Sequence, residues 1–471
     1  MQRKWRIALI VCVGVFMSSL DLFIVNIAFP AIGAHFGGAS LGELSWILSG
    51  YAIVFAALLV PAGRWADAFG RKRAFLLGLA IFVLASAACA LAPSVGVLIG
   101  ARVVQAVGGA LMLPTSLGLM LPEFDPRERH LAIGVWAATG AVAAAAGPPL
   151  GGLLVQLDWR LVFLVNVPVA IAALIAGRAL LVERREESAL RPDLLGAAGF
   201  TVAIGALVLA IVKAPEWGWT SARVIGLLIV TVALLVGIWR RSLRHPSPIV
   251  EPAMLRVPTF RLAVLGSIVF FAGFAAMLLG GVLFLTSVWH EGALAAGLML
   301  FPGPLMAALF AIPSARLGAR FGYRLPGVFG GILAALGSFW WITHAGLTPD
   351  YLAEFLPGMV IGGAGVGLMI PTLTGAGTSA LAPERFATGA AVLTMGRQVG
   401  SALGVAILVA VIGANVGELS AFKSGWAITA AGGLAAALTM AFVRTGAEAR
   451  RAPAAEISVG AEACGEHVLT T

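Results

Sequence analysis

Three charged side chains in this sequence stand inside long apolar runs: Asp21, Arg102 and Arg397. A carboxylate near the centre of a membrane-length run costs about 2.5 to 3.5 kcal/mol to insert, so Asp21 needs a reason to be there. Burial favours the neutral acid and an adjacent cation favours the carboxylate, so such a pair can take up and release a proton as its access to water changes. The same acid would also serve as a static contact to a Ser or Asn neighbour, or as a direct ligand for a substrate. Proton coupling is the reading its position favours.

A partner for Asp21 can be read from helix geometry. Asp21 is about eight residues from the outer end of its run, and Arg102 and Gln105 about five and eight from the outer end of theirs, so at 1.5 Å per residue their depths agree within roughly 5 Å. Arg102, Gln105 and Gly109 form one helical stripe, and Gly14, Ser18, Asp21, Val25 and Ala28 another, which puts both polar groups on close-packing faces. The bland alternative for Arg102 is snorkelling to the interface. Arg397 lies about eleven residues into its run and shares a face with Ser401 and Gly404. Three readings stand for it: a partner of Asp21 across a central cavity, a site for an anionic or polar substrate group, or a cation held by backbone carbonyls and water. No further acid lies well inside a run, so specialisation for multiply charged cations is not expected.

These residues need membrane helices to hold them. The 471 residues are 60% hydrophobic and 11% charged, with mean hydropathy +0.98, which excludes a soluble fold. Apolar runs place fourteen spans near 7–29, 44–65, 74–92, 97–120, 131–154, 161–181, 194–213, 222–239, 262–287, 294–317, 326–343, 355–376, 387–412 and 424–443. Of 31 Lys and Arg, 25 fall on the face shared by the termini; Arg160, Lys213, Arg223 and Lys423 face the other way, and Arg102 and Arg397 lie within spans. This bias puts both termini in the cytoplasm and accounts for the net charge of +9 without nucleic acid. The first run is too long for a cleaved signal and is read as an uncleaved span. Cys12, Cys89 and Cys464 form no metal-spaced cluster, and the six His fall in loops, span ends or the tail. Tyr51, Trp46, Trp217, Trp219, Trp340 and Trp341 read as anchors at the membrane interface.

The spans repeat. GRWADAFGRK (Gly63 to Lys72) is echoed by ARLGARFGYR (Ala315 to Arg324), ALMLPT (Ala110 to Thr115) by GLMIPT (Gly367 to Thr372), and RHLAIG from Arg129 loosely by the segment from Arg385, at offsets of 252, 257 and 256 residues. Two parallel six-helix halves follow, with a site expected between them near the midplane. The expected organisation is an N-terminal half over 1–182, a two-helix insert with linkers over 183–261, a C-terminal half over 262–445 and a cytoplasmic, disordered tail over 446–471.

The loop Gly63 to Arg73, GRWADAFGRKR, carries Gly63, Asp67, Gly70, Arg71 and Arg73 at the spacing G-x-x-x-D-x-x-G-R-[KR]-x-R. With SLDLFIVNIAFP (Ser19 to Pro30), the Arg102 to Gly108 segment and Gly134 followed by GPPLGG (Gly147 to Gly152), the chain resembles the major facilitator superfamily, in its fourteen-helix drug:proton antiporter branch, the QacA/EmrB-like exporters. Ala106 and Ala143 stand where that branch usually has glycine. Trp159-Arg160 with Asn166 and Pro168 is also similar to the branch.

The resemblance implies an all-α membrane protein of the major-facilitator fold that exports small amphipathic drugs or toxic compounds by alternating access, and no enzyme. Proton coupling falls to Asp21 and Arg102, and a substrate cavity to Asp21, Asn26, Gln105, Met112, Arg397, Gln398 and Ser401. Asp67, paired with Arg71, is expected to point at a helix N-terminus of the other half as a gate. Gly134, Gly147, Pro148, Gly151 and Gly152 are the exporter motif, expected to seal the outer side. No phosphate-binding loop is present, so the expected drive is the proton-motive force with no cofactor or metal. The expected partners are a small amphipathic substrate, protons and the lipid bilayer, for a monomer in a bacterial cytoplasmic (inner) membrane. The rival readings are the same fold exporting a lipid, antibiotic or endogenous metabolite, and, remotely, a membrane sensor or enzyme subunit.

Overall fold

A computed structural model describes residues 2–125, 127–185, 192–382, 385–413 and 415–443. The tail over 446–471 lies outside the described residues. Fourteen helices among them are long and apolar enough to span a bilayer. They are α1 (Arg3–His35), α2 (Leu41–Phe69), α3 (Arg71–Ala90), α4 (Val95–Glu123), α5 (Leu131–Leu157), α6 (Leu161–Leu180) and α7 (Leu194–Trp217). The rest are α8 (Ala222–Ser242), α9 (Pro258–Ser287), α10 (Ala293–Phe321), α11 (Arg324–His344), α12 (Tyr351–Ser379), α13 (Phe386–Ile412) and α14 (Leu419–Ala441). Every expected span is present, because in lipid a helix is the one local structure that satisfies its own backbone.

Odd-numbered helices start on the face that carries the first residues, here called the basic face. Their ends are fixed by local chemistry. Ser40 and Glu43 form a reciprocal capping box at the start of α2, with Ser40 Oγ accepting from Glu43 N at 3.2 Å. Gly70, at φ 122°, and Gly322, at φ 88°, close the two echoed hairpins, α2–α3 and α10–α11, in a backbone region that favours glycine. Glu183 completes the first hairpin by accepting from Lys72 N at 3.0 Å and Arg73 N at 3.2 Å, so a carboxylate covers the free N–H groups of α3. α10 is interrupted at Phe301, just before Pro302, where the ring removes a backbone donor.

Helices α1–α6 pack among themselves, as do α9–α14. The two groups meet along α2 against α13 and along α5 against α10. α7 lies over the first of these seams, touching both α2 and α13, and α8 packs on α7 with most of its apolar side chains exposed. Within α13, Gly396, Gly400 and Gly404 bring the backbone against α9, where a methyl on Gly400 or Gly404 would collide with the carbonyls of Ile268 and Ala272.

Candidate functional site

Asp21 and Arg102 meet inside α1–α6. Arg102 Nη1 donates to Asp21 Oδ2 at 2.5 Å, and Gln105 Nε2 donates to Asp21 Oδ1 at 3.0 Å. Both charged side chains are 0% exposed. Arg102 Nη1 also donates to Gln105 Oε1 at 2.6 Å and its Nε to the Ile47 carbonyl at 3.2 Å. Its guanidinium lies 4.3 Å from the centre of the Tyr51 ring. The network then continues: Gln105 Nε2 and Asn166 Nδ2 both donate to Ser86 Oγ, at 3.2 and 3.1 Å, and Ser86 Oγ donates to the Phe163 carbonyl at 3.1 Å.

Five helices, α1, α2, α3, α4 and α6, therefore contribute to one closed polar network. The expected partnership of Asp21 with Arg102 and Gln105 is present, and the snorkelling alternative for Arg102 is not. Sequence reasoning missed Ser86 as a member, and it read Tyr51 as an interface anchor. Tyr51 is instead fully buried beneath the Arg102 guanidinium, and Trp341, expected at the interface, is buried with its Nε1 donating to the Phe355 carbonyl at 2.9 Å. A single neutral polar residue in an apolar run was the available signal for Ser86 and Asn166.

The substrate-cavity residues separate into two sets. Asp21, Gln105 and Met112, expected to line a cavity, are fully buried, because α3 and α6 close over the contact of α1 with α4. Asn26 is partly buried and donates to its own helix, at the Leu22 carbonyl, 2.7 Å away. On α13, Ser401 donates to the Arg397 carbonyl at 3.0 Å, Gln398 is buried, and Arg397 is partly exposed over the Phe271 ring at 4.8 Å. Arg397 is not the partner of Asp21, whose two oxygens are already taken by Arg102 and Gln105.

In the hairpin loop, Arg71 Nε donates to Asp67 Oδ1 at 2.7 Å and Arg71 Nη1 to the Gly118 carbonyl at 3.3 Å. The pair is as expected. The contact to a helix N-terminus of the other group is not made: among the described residues, no hydrogen bond or ion pair of Asp67 leaves α2–α3, and the Arg71 side chain reaches only Asp67 and the Gly118 carbonyl of α4. What joins the two groups on this face is Glu251, in the segment between α8 and α9. It is 3.0 Å from Arg64 Nη2 of α2 and 3.7 Å from Arg385 Nε at the start of α13. Arg64 also donates to Ser247. Neither Glu183 nor Glu251 stood out in the sequence, since an acid in a polar loop reads as solvated.

On the opposite face the exporter motif packs tightly. A methyl on Gly152 would lie 2.6 Å from the Ala293 carbonyl of α10, and one on Gly151 3.0 Å from Ile24 of α1. Gly297 of α10 meets the Pro148 carbonyl in return. Gly134 takes no part, having open space around it.

The model of the Major Facilitator Superfamily matches residues 11–405. The chain belongs to the major facilitator superfamily. It is 35% identical over 440 residues to the tetracenomycin C resistance and export protein of Streptomyces glaucescens, covering 90% of this chain and 78% of that one. It is 34% identical over 403 residues to a methylenomycin A resistance protein of Streptomyces coelicolor, covering 84% and 83%. Among solved structures, a POT family transporter crystallised with a thioalcohol-conjugated peptide superposes with TM-score 0.68 over 92% of this chain and 94% of that one, at 15% identity. That likeness concerns the fold. A superfamily of transporters also disposes of the enzyme-subunit reading.

Proposed function

We propose that this protein is a proton-coupled exporter of small amphipathic drugs or other toxic compounds in a bacterial inner membrane, working as a monomer with both termini in the cytoplasm and with no cofactor. The observation that carries the coupling is the sealed Asp21–Arg102–Gln105 network. Protonating Asp21 removes the counter-charge of a buried guanidinium, and leaving a buried charge without its partner costs about 3 to 5 kcal/mol. The loaded protein relieves that cost by rearranging α1 against α4, so proton uptake and helix movement become one event. The drive is adequate: about 2.3 kcal/mol per charge per 100 mV sustains roughly a fortyfold gradient for each proton.

The packing of Gly147 to Gly152 on α1 and α10 supports closure of the outer face in this conformation, and the lack, among the described residues, of a hydrogen bond or ion pair from Asp67 to the other group fits a gate that is released on the basic face. The two halves over 1–182 and 262–445 then rock about the site between them, with the insert over 183–261 riding on the α2–α13 seam. A second reading, export of a self-made antibiotic, draws on relatives named for single antibiotics, including the probable actinorhodin transporter of Streptomyces coelicolor, 32% identical over 419 residues.

The test is drug accumulation in an efflux-deficient host producing the chain. Accumulation falls when the chain is made and recovers when an uncoupler collapses the proton gradient, with ATP held constant. Accumulation insensitive to the uncoupler contradicts proton coupling.

A further inference from the structure

Arg397 is a charge in the middle of α13, eleven residues after Phe386 and fifteen before Ile412. Among the described residues, no side chain or carbonyl accepts a hydrogen bond from its guanidinium, and no carboxylate lies within ion-pair distance. It is not sealed in as Arg102 is, because its side chain keeps partial exposure. The glycines beside it, Gly396 and Gly400, are the residues that press α13 onto α9, so the helix is held there by backbone and Arg397 is left free. Asp21, the one acid well inside a span, is committed to Arg102 and Gln105.

The surroundings are aromatic. Phe271 lies under the guanidinium at 4.8 Å, and Phe270 and Phe274 pack against Phe271 with centroids 5.6 Å away in each case. Phe274 in turn meets Phe23 of α1 edge-on at 6.4 Å, so this wall crosses from the C-terminal six helices to the N-terminal six. Phe23 is two residues from Asp21.

We propose that Arg397 and the aromatic wall beside it recognise an anionic aromatic compound: the guanidinium takes a carboxylate, sulfonate or phenolate, and the partly exposed rings of Phe274 and Phe23, backed by the buried Phe270 and Phe271, pack against a flat body. This rests on the export reading and names its substrate class. A planar fork of five donors with no acceptor of its own is matched by an oxyanion and by no cationic drug. Because the wall is shared by α1 and α9, a bound ring touches both groups of helices and senses their relative movement.

The experiment uses the purified full chain and three aromatic probes of one size: 2-naphthoate, 2-naphthamide and 2-naphthylmethylammonium. Equilibrium dialysis measures binding, and everted vesicles measure proton movement driven by each probe. The expected result is binding in the order naphthoate, naphthamide, naphthylmethylammonium, with Arg397→Gln weakening naphthoate about tenfold or more, as for the loss of one charge-assisted contact. Naphthamide binding changes little in that variant, and Arg397→Lys recovers part of the naphthoate affinity. Preference for the cation, no naphthoate binding, or an equal loss for all three probes in Arg397→Gln overturns the proposal. Binding of naphthoate that depends on Arg397 without any proton movement would overturn the coupled-export reading and leave this one standing; proton movement driven by the cation alone would do the reverse.

Discussion

The Asp21 carboxylate and the Arg102 guanidinium, 81 residues apart in sequence, lie 2.5 Å from each other with no exposed surface on either. Such a pair is a weak source of stability, since desolvation offsets most of its attraction, but breaking it on one side leaves an isolated buried charge. Asp21→Asn and Arg102→Gln should each destabilise the detergent-solubilised protein by about 3 kcal/mol. The double variant should lose less than the sum, because it removes both charges. Additive losses in thermal unfolding would show that the two residues do not act as a unit.

On the face opposite the basic one, Gly152 lies so close to Ala293 that an added methyl would sit 2.6 Å from its carbonyl, and the proposed seal rests on this contact. Gly152→Val should prise α5 from α10 and expose the lining. A thiol placed by Leu294→Cys should then react with a membrane-impermeant maleimide several times faster in the valine background than beside Gly152. Equal rates would remove the seal from this contact.

Glu251 stands between Arg64 and Arg385 at 3.0 and 3.7 Å, with all three side chains partly exposed. Exposed pairs are worth about 0 to 1 kcal/mol and are screened by salt, so Glu251→Gln should barely alter the unfolding temperature. If the proposed rocking cycle breaks the tie between α2 and α13, the effect of Glu251→Gln should show in the transport rate instead. Raising salt from about 0.15 to 1 M should change the wild-type transport rate in the direction of the variant and leave the variant unchanged. A salt response of the same size in both would show that the tie has no part in the cycle.

Asp67 and Arg71 are paired at 2.7 Å, while the echoed hairpin has Ala319 in the place of Asp67. Asp67→Asn should free Arg71 and slow transport about as much as Arg71→Gln does. Ala319→Asn should be close to neutral, and equal effects at 67 and 319 would refute a one-sided gate.

The spans were legible because lipid demands uninterrupted apolar helices, and Asp21 with Arg102 because a buried charge demands an opposite one. Ser86 and Asn166 were not, since neutral polar residues enter membrane helices at little cost and carry no partner's address. Tyr51 misled: near the start of a run, a tyrosine that stacks under a cation has the same sequence signature as one that anchors at the interface. The seat of α7 on the α2–α13 seam was equally hidden, because hydropathy gives depth and not neighbours. Arg397 could be seen as a charge without a counter-charge, but only the geometry showed that Asp21 was already occupied.

The central claim is that protons enter the cycle at Asp21, and substrate-driven proton movement in everted vesicles tests it most directly. The wild-type chain should release protons from the vesicle lumen when substrate is added, and Asp21→Asn, present at equal amount in the membrane and still binding substrate, should release none. Undiminished proton movement in Asp21→Asn would contradict the account.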